Sequence, residues 1–201
     1  MSDPAIVQAT ADDAERLASM LGRAFADDPM IRWKLRPDVT AVQIGATFEP
    51  LVAAHAAVGT LREVEGAHAA AAWIPPELAG RFDELARSGR EAVLALTDDG
   101  GVRFDAFWDW VAEHLPTDAW YLDFVGVDPA HQGRGYGTAL VRDGLARAHA
   151  SGTAGFLLTE TERNVALYER LGFGVVERTD APGGGPTIWF MRAGPSSNRS
   201  G

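Results

Sequence analysis

The chain of 201 residues lacks cysteine, a long apolar run and an excess of basic residues. The absence of cysteine excludes disulfide bonds, thiolate metal sites and a cysteine nucleophile. No apolar stretch approaches the roughly 20 residues that a membrane-spanning helix needs. The first residues show no basic segment followed by an apolar core, so we expect no signal peptide and a soluble, cytoplasmic protein. The five histidines show no metal-ligand spacing, so no metal site is predicted.

The net charge of −10 is unevenly distributed. Residues 1–118 carry 20 acidic and 10 basic side chains, whereas residues 119–201 carry 8 of each. An acidic surface argues against nucleic acid and membranes as partners and favours a cationic amine, although solubility alone also explains it. The length fits one domain, placed at residues 1–193, and the polar tail 194–201 is predicted to be disordered.

A strand, a glycine-rich turn and a helix follow one another in the second half of the chain. Residues 120–127 are aromatic and β-branched, which predicts a buried strand. Glycines then alternate with other residues at Gly133, Gly135 and Gly137, and residues 138–149 have the apolar spacing of a helix. Such a turn directs successive backbone N–H groups into one concavity, and the helix N-terminus adds partial positive charge. The sequence therefore predicts a site for a phosphate or pyrophosphate.

Three kinds of glycine loop compete as explanations of this turn. A P-loop requires Gly-Lys-Ser/Thr, which is absent, and a dinucleotide fingerprint requires a glycine where Thr138 stands. The pattern Gln/Arg-x-x-Gly-x-Gly after a strand matches at Gln132, Gly135 and Gly137. It resembles the coenzyme A pyrophosphate loop of the GNAT superfamily of N-acetyltransferases. A glycine-rich surface turn without a ligand is the plain alternative.

A second segment strengthens the resemblance. Residues 155–159 predict a short apolar strand, and residues 165–173 predict a short helix with Gly172 as its C-cap. The spacing of Asn164, Tyr168 and Gly172-Phe173 after this strand is also similar to the GNAT superfamily. The combined match covers residues 120–192. Within the superfamily, the layout most resembles puromycin N-acetyltransferase-like members.

The resemblance implies an α/β (α+β) fold: a central mixed, mostly antiparallel twisted sheet flanked by helices. Its fourth and fifth strands would splay apart to form the coenzyme cleft. Residues 27–38 read as a loop. Residues 76–115 read as a helical insertion, with one helical stretch reaching residue 96, and we expect it to wall the acceptor site. The remaining predicted elements are a strand at 6–9, helices at 14–25 and 40–59, a hairpin at 61–74 and a final strand pair at 174–178 and 187–192.

The resemblance also implies how acetyl-CoA would bind. Backbone groups of Phe124, Val125 and Val127 would pair with the pantetheine arm, and the Val125 N–H would polarise the thioester carbonyl. The amides of residues 133–138 would hold the pyrophosphate, and Arg134 would supply charge. The predicted coenzyme-binding residues are Phe124, Val125, Gly126, Val127, Gln132, Gly133, Arg134, Gly135, Tyr136, Gly137, Thr138, Asn164 and Tyr168.

Three residues are candidates for proton transfer. Tyr168 is the candidate acid for the departing thiolate, and a tyrosine packed under its helix is the structural alternative. Glu160 and Asp123 are candidate general bases. On regular pleating Asp123 faces the same side as Val125, which a bulge would change. Asn164 either binds pantetheine or caps its helix. Without cysteine, direct transfer is expected.

The acceptor site is predicted at Phe25, Asp28, Trp33 and Trp73, which combine aromatic faces with an acid and suit a cationic amine. Core packing is the alternative role for the tryptophans. The predicted function is transfer of acetyl from acetyl-CoA to the primary amine of a small molecule, by a monomer or homodimer. The alternatives are a protein or peptide N-acetyltransferase, which needs an open groove, and a non-catalytic acyl-CoA-binding module.

Overall fold

The computed structural model describes residues 4–195 of the chain. These residues form one seven-stranded β-sheet with helices packed against it. The strands are β1 (Ile6–Gln8), β2 (Leu61–Val64), β3 (Ala69–Ile74), β4 (Ala119–Val127), β5 (Ala154–Thr159), β6 (Gly174–Asp180) and β7 (Thr187–Ala193). The α-helices are α1 (Ala14–Ala24), α2 (Pro29–Lys34), α3 (Ala41–Ala57), α4 (Phe82–Ala86), α5 (Arg90–Leu94), α6 (Val102–His114), α7 (Tyr136–Ala150) and α8 (Glu162–Glu169). Short 3₁₀ turns lie at Ala11–Asp13, Pro76–Arg81 and Pro129–His131.

The strand order is β1-β2-β3-β4-β5-β7-β6. All neighbouring pairs are antiparallel except β4 and β5, which are parallel. A parallel pair needs a crossover connection, and α7 supplies it. The predicted mixed, mostly antiparallel sheet flanked by helices is therefore confirmed.

β3 is buried on both faces along its whole length. Its four successive alanines give a strand with little side-chain volume, so helices approach the sheet from both sides. Ala70 and Ala72 pack with α1 and α3 on one face, whereas Ala69 and Ala71 pack with α7 on the other. The two faces of this alanine segment thus pack in different hydrophobic clusters.

One predicted loop contains a helix. Residues 27–38 read as irregular, but α2 occupies Pro29–Lys34, so the loop prediction is wrong there. Asp28 caps this helix, because its Oδ1 accepts a 2.9 Å hydrogen bond from the Ile31 N–H. Pro29 takes the first helical position, where its missing N–H costs nothing.

The insertion predicted at residues 76–115 is helical but broken. The expected helix up to residue 96 divides into a 3₁₀ turn, α4 and α5, because Ser88-Gly89 interrupts it. Arg90 pairs with Asp105 at 2.5 Å and Arg87 with Asp109 at 2.5 Å, which ties the short helices to α6. The result is a wall of short helices beside β4.

Two expectations concern the ends of the chain and membranes. The predicted disordered tail lies outside the described residues, apart from Gly194 and Pro195. Across residues 4–195, none of the helices combines the length and apolar character that crossing a bilayer requires.

Candidate active site

β4 and β5 separate beyond their first four residue pairs. Their pairing runs from Ala119 with Ala154 to Leu122 with Leu157 and stops there. Residues 124–127 continue β4 with partners on the β3 side only. The backbone edge facing β5 is therefore open, as expected for the splayed strands.

A β-bulge lies where the two strands separate. Ala72 of β3 pairs with Phe124 and Trp73 pairs with Leu122, so Asp123 is the extra residue on β4. The extra residue shifts the alternation of side chains. Asp123 and Phe124 both line a cavity on one face, and Val125 packs with the α7 core on the other. The bulge that the sequence analysis left open is thus present, and it places Asp123 and Val125 on opposite sides.

The glycine-rich turn forms an open cradle at the start of α7. Gly133 and Gly135 adopt φ values of +77° and +82°, which side chains with a Cβ rarely adopt. A Cβ on either residue would meet no atom within 4 Å, so the space above the backbone is free. Gly135 precedes Tyr136, the first residue of α7, so the unpaired N–H groups of the first helical turn open onto this space. The geometry fits a diphosphate.

The same turn is fixed to the body of the protein by Asp128. Its carboxylate accepts a hydrogen bond from the Ala130 N–H at 2.9 Å and pairs with Arg23 of α1 at 2.5 Å. The Arg23 guanidinium holds the pKa of the Asp128 carboxyl below its ordinary value. The predicted Arg134 is exposed on the turn.

Helix α8 lies beside the splayed strands and begins earlier than predicted. Its cap is Thr161, whose hydroxyl accepts from the Asn164 N–H at 3.2 Å. Asn164 is therefore not the cap. Tyr168 is buried against Phe173 with ring centroids 5.9 Å apart, in the core on the α7 face. Burial, and then the Glu160 carboxylate, raise the pKa of Tyr168, so its phenol keeps its proton.

A cavity opens on the opposite face, between the loop after α1, the helices α2 and α3, the insertion and the strands β4 and β5. Its volume is about 740 Å³ including its mouth. Phe25 stacks on Phe48 at 5.1 Å to form part of its wall. The insertion contributes the lining residues Ala86, Gly89, Val93, Phe104, Phe107 and Trp108.

Three acids that the sequence predicted line this cavity, namely Asp28, Asp123 and Glu160. Glu160 follows the last residue of β5, and burial raises its pKa to about 8. The Asp28 carboxylate adds to the rise, whereas the Lys34 ammonium opposes it. Burial also raises the pKa of Asp28, against the hydrogen bond from the Ile31 N–H. An acid with a pKa near 8 is suited to accept a proton at neutral to weakly alkaline pH.

Asp123 is held by a histidine that the sequence analysis did not select. His55 Nε2 lies 3.0 Å from Asp123 Oδ2, and its Nδ1 lies 2.8 Å from Thr60 Oγ1. Side-chain exposure is 0% for His55 and 2% for Asp123. Asp123 as a whole is only half-buried, so what it exposes is backbone. The histidine fixes one oxygen of the Asp123 carboxylate. Because 67 residues lie between His55 and Asp123, no local sequence pattern indicates that the two interact.

The two predicted tryptophans lie outside the cavity lining. Trp73 is 1% exposed and packs on the α7 face, where a Cβ on Gly144 would lie 2.1 Å from its Nε1. Trp33 contacts Phe107 edge-on at 6.5 Å and covers the turn at Gly185. Of the predicted acceptor residues, the cavity brings together Phe25 and Asp28.

Sequence comparison agrees with this geometry. The sequence model described as Acetyltransferase (GNAT) family matches residues 64–173, more than half of the chain. The chain belongs to the GNAT acetyltransferase family. The matched range includes β3, β4, the glycine-rich turn, α7, β5 and α8, which are the elements around the splayed strands. GNAT enzymes use acetyl-CoA as acyl donor, and the open cradle before α7 fits its diphosphate.

Similar proteins include mycothiol acetyltransferases. That of Mycobacteroides abscessus is 40% identical over 113 residues, covering 54% of this chain and 37% of the relative. That of Gordonia bronchialis is 36% identical over 107 residues, covering 52% of this chain and 30% of the relative. The similarity thus spans about a third of these relatives' lengths.

Solved acetyltransferase structures resemble nearly the whole chain. A Corynebacterium glutamicum protein described as histone acetyltransferase HPA2 and related acetyltransferase superposes with a TM-score of 0.69 at 25% identity, covering 97% of this chain and 98% of that one. Drosophila melanogaster polyamine N-acetyltransferase superposes with a TM-score of 0.59 at 14% identity, covering 96% and 100% of the two chains, which shows a shared fold. Within residues 4–195, no cluster of three or more potential metal-binding side chains occurs.

Proposed function

We propose that this protein transfers acetyl from acetyl-CoA directly to the primary amine of a small molecule. The observation that carries the proposal is the arrangement of three features along β4. Its open edge begins where β4 and β5 separate, the glycine cradle follows the other end of that edge, and the cavity bearing Glu160 lies beside its start.

The coenzyme would lie on the α7 face and along the open edge. The amides of residues 133–138 would bind its diphosphate. The backbone of residues 124–127 would pair with the pantetheine arm as a further strand. The Val125 N–H would donate to the thioester carbonyl and stabilise the negative charge that develops there, as preorganised backbone donors do.

Glu160 is the base that the electrostatics favour. Its carboxylate lines the cavity and has a pKa of about 8. It would therefore accept a proton from the incoming ammonium at neutral to weakly alkaline pH. Asp123 is the weaker candidate, since one of its oxygens is committed to His55 and its side chain is 2% exposed. Asp123 would instead attract the ammonium and keep its nitrogen near the open edge.

Tyr168 would return a proton to the leaving thiolate. Its raised pKa keeps the phenol protonated, and Glu160 is near enough to influence it. The ammonium first passes one proton to Glu160, and the lone pair of the neutral amine then attacks the thioester carbon. As the C–S bond breaks, the thiolate takes the phenolic proton of Tyr168, and the second proton that the nitrogen loses returns through solvent to the phenolate.

The shape of the acceptor side favours a small molecule over a peptide. The insertion encloses the cavity with residues of α4 to α6, and its walls are mainly aromatic and aliphatic. An extended peptide needs a groove with backbone partners, whereas a pocket with a few convergent polar groups suits a small ligand.

The test is thiol release from acetyl-CoA across a panel of amines. Aromatic amines, polyamines, aminoglycosides, amino acids and a lysine-containing peptide form the panel. We expect turnover with at least one small amine and less with the peptide. Preference for the peptide would reassign the substrate class, and tight acetyl-CoA binding without release from any amine would establish a non-catalytic binding module.

A further inference from the structure

Lys34 is the only lysine of the chain, and it ends α2 inside the acceptor cavity. The residue is 5% exposed. Its ammonium lies over three aromatic rings of α6, at 5.6 Å from the centroid of Phe104, 4.7 Å from Phe107 and 5.2 Å from Trp108. Folding therefore places an ammonium group, which is strongly hydrated in water, against an apolar wall of the cavity.

This ammonium has no close anionic partner. Within residues 4–195, it lies over the three rings, and neither a hydrogen bond nor an ion pair within 4 Å reaches it. Buried charges are normally paired, because the desolvation of an unpaired charge is costly. The rings offset part of that cost through cation–π attraction, and the three N–H donors remain available.

The carboxylates of the cavity act on Lys34 only from a distance. Asp28, Glu160 and Asp123 each favour the charged lysine, yet burial outweighs them and lowers the pKa of Lys34 to about 8. None of their oxygens lies within 4 Å of Nζ, since no such ion pair occurs in the described part of the chain. The cavity thus holds a cation, Lys34 at the end of α2, against the rings of α6, while Asp28 caps the start of α2 and Asp123 and Glu160 form an acidic edge at β4 and β5.

Resting on the proposed function, we propose that Lys34 binds a carboxylate on the acceptor. The substrate class is then an apolar or aromatic primary amine that also carries a carboxylate, in the manner of an amino acid. The ammonium of such a molecule is attracted to Asp123 and Glu160, its carboxylate pairs with Lys34, and its apolar body contacts the aromatic walls. A zwitterion satisfies both charged regions of the cavity at once.

The experiment compares amines that differ only by a carboxylate. The pairs are phenylalanine with phenethylamine and 6-aminohexanoate with hexylamine, measured as kcat/KM for thiol release. We expect the wild-type protein to prefer the carboxylate-bearing member of at least one pair by about 10-fold or more, as hydrogen bonds to charged groups allow.

The variant that tests the residue is Lys34→Met, which keeps the unbranched stem and removes the charge. We expect the preference to fall to about 1 in this variant, with acetyl-CoA affinity unchanged, which also reports that the protein is folded. Lys34→Arg restores a cation and should keep part of the preference. Arg178→Met, at the exposed β6 edge, removes the same charge elsewhere and should leave the preference intact.

The outcomes separate the two proposals. Equal or better turnover of the amines without a carboxylate by the wild-type protein overturns the role of Lys34 and leaves the acetyltransferase proposal standing. A preference that survives in Lys34→Met also overturns it. Absence of thiol release from every amine in both sets overturns the proposed function, and this inference falls with it.

Discussion

The two faces of the sheet form their sites from different chemical groups. The α7 face offers backbone: the amides around Gly133 and Gly135 and the open edge of β4. The opposite face offers side chains from the loop after α1, from α2, α3 and α6, and from both splayed strands. A coenzyme that is common to a family needs only main-chain geometry, which glycine spacing encodes locally. An acceptor that distinguishes one member from another needs side chains assembled from the whole chain.

The gap between β4 and β5 is where these two sites meet. Tyr168 belongs to the core on the α7 face and Glu160 to the cavity on the other face, yet the Glu160 carboxylate raises the pKa of Tyr168. An acid and a base on opposite sides of one gap suit a reaction that removes a proton from the amine and returns one to the thiolate. The following changes test whether the two faces are separable.

Glu160→Gln should have the largest effect, because it removes the base from the cavity side. We expect kcat/KM to fall by roughly 10²–10⁴-fold, the usual contribution of a general base, with little change in acetyl-CoA affinity. In the wild-type protein, activity should rise with pH through a midpoint near 8, the pKa of Glu160. The exposed Glu162→Gln is the matched control and should keep both rate and pH profile. Equal rates for the two variants would remove Glu160 from the mechanism.

His55→Leu should be the most destabilising change on the cavity face. It leaves the Asp123 carboxylate buried without its 3.0 Å partner, and breaking a buried charged pair lowers the free energy of unfolding by about 3–5 kcal/mol. Chemical denaturation monitored by tryptophan fluorescence measures the loss. His55→Gln retains an N–H donor and should lose less. If both variants unfold like the wild type, the histidine does not hold Asp123 in place.

Tyr168→Phe removes only the phenolic oxygen on the α7 face. We expect kcat to fall by about 100-fold, at the lower end of the range for proton transfer, while the Kd for acetyl-CoA stays within error. Steady-state kinetics and calorimetric titration separate the two quantities. Unchanged kcat would leave Tyr168 as a packing residue on Phe173.

Gly135→Val tests the backbone site alone. The φ of +82° disfavours a β-branched residue by about 1–2 kcal/mol, and relief of this strain would turn the amides away from the diphosphate. We expect a rise of roughly 10-fold in the Kd for acetyl-CoA. Gly152 has a similar φ of +75° and open surroundings. Gly152→Val therefore introduces a comparable backbone strain outside the proposed diphosphate site and serves as the control. A similar loss of affinity in both variants would contradict the assignment.

A further prediction concerns stability as a function of pH. The pKa of Glu160 is raised from 4.5 to about 8 on folding, so the folded state binds this proton more tightly than the unfolded state. Its contribution to stability is fully present below pH 4.5 and is lost as the pH rises to about 8. Glu160→Gln should flatten this part of the wild-type Tm profile. A wild-type advantage in Tm that grows with pH would contradict the raised pKa.

The elements around the coenzyme site were predictable because their signals are local. An apolar run, an alternating glycine turn and a helix lie within 30 consecutive residues, and each depends on its own backbone preferences. The helix in the predicted loop was also visible, since Asp28-Pro29 is a cap followed by a first-turn proline. It was missed because aromatic and charged neighbours obscured the short apolar pattern.

The acceptor site was harder to predict, because its geometry depends on contacts between residues that are distant in the sequence. The face that Asp123 occupies depends on a bulge, which arises from its register with Ala72 and Trp73 of another strand. Trp73 lies on the same side of β3 as Ala71 and packs against α7. The sequence of β3 alone does not show which of its two faces points to α7 and which to the cavity. The contact of His55 with Asp123 depends on how α3 packs against β4. Lys34 did leave a signal, as the only lysine in the chain.

A structure of the protein with acetyl-CoA bound tests the account most directly. We expect the diphosphate on the amides of residues 133–138, the pantetheine arm along the open edge of β4, and the thioester in the gap between Tyr168 and the cavity. A coenzyme bound elsewhere, or a thioester that cannot be reached from the cavity carrying Glu160, would contradict the claim that the two faces of the sheet serve one reaction.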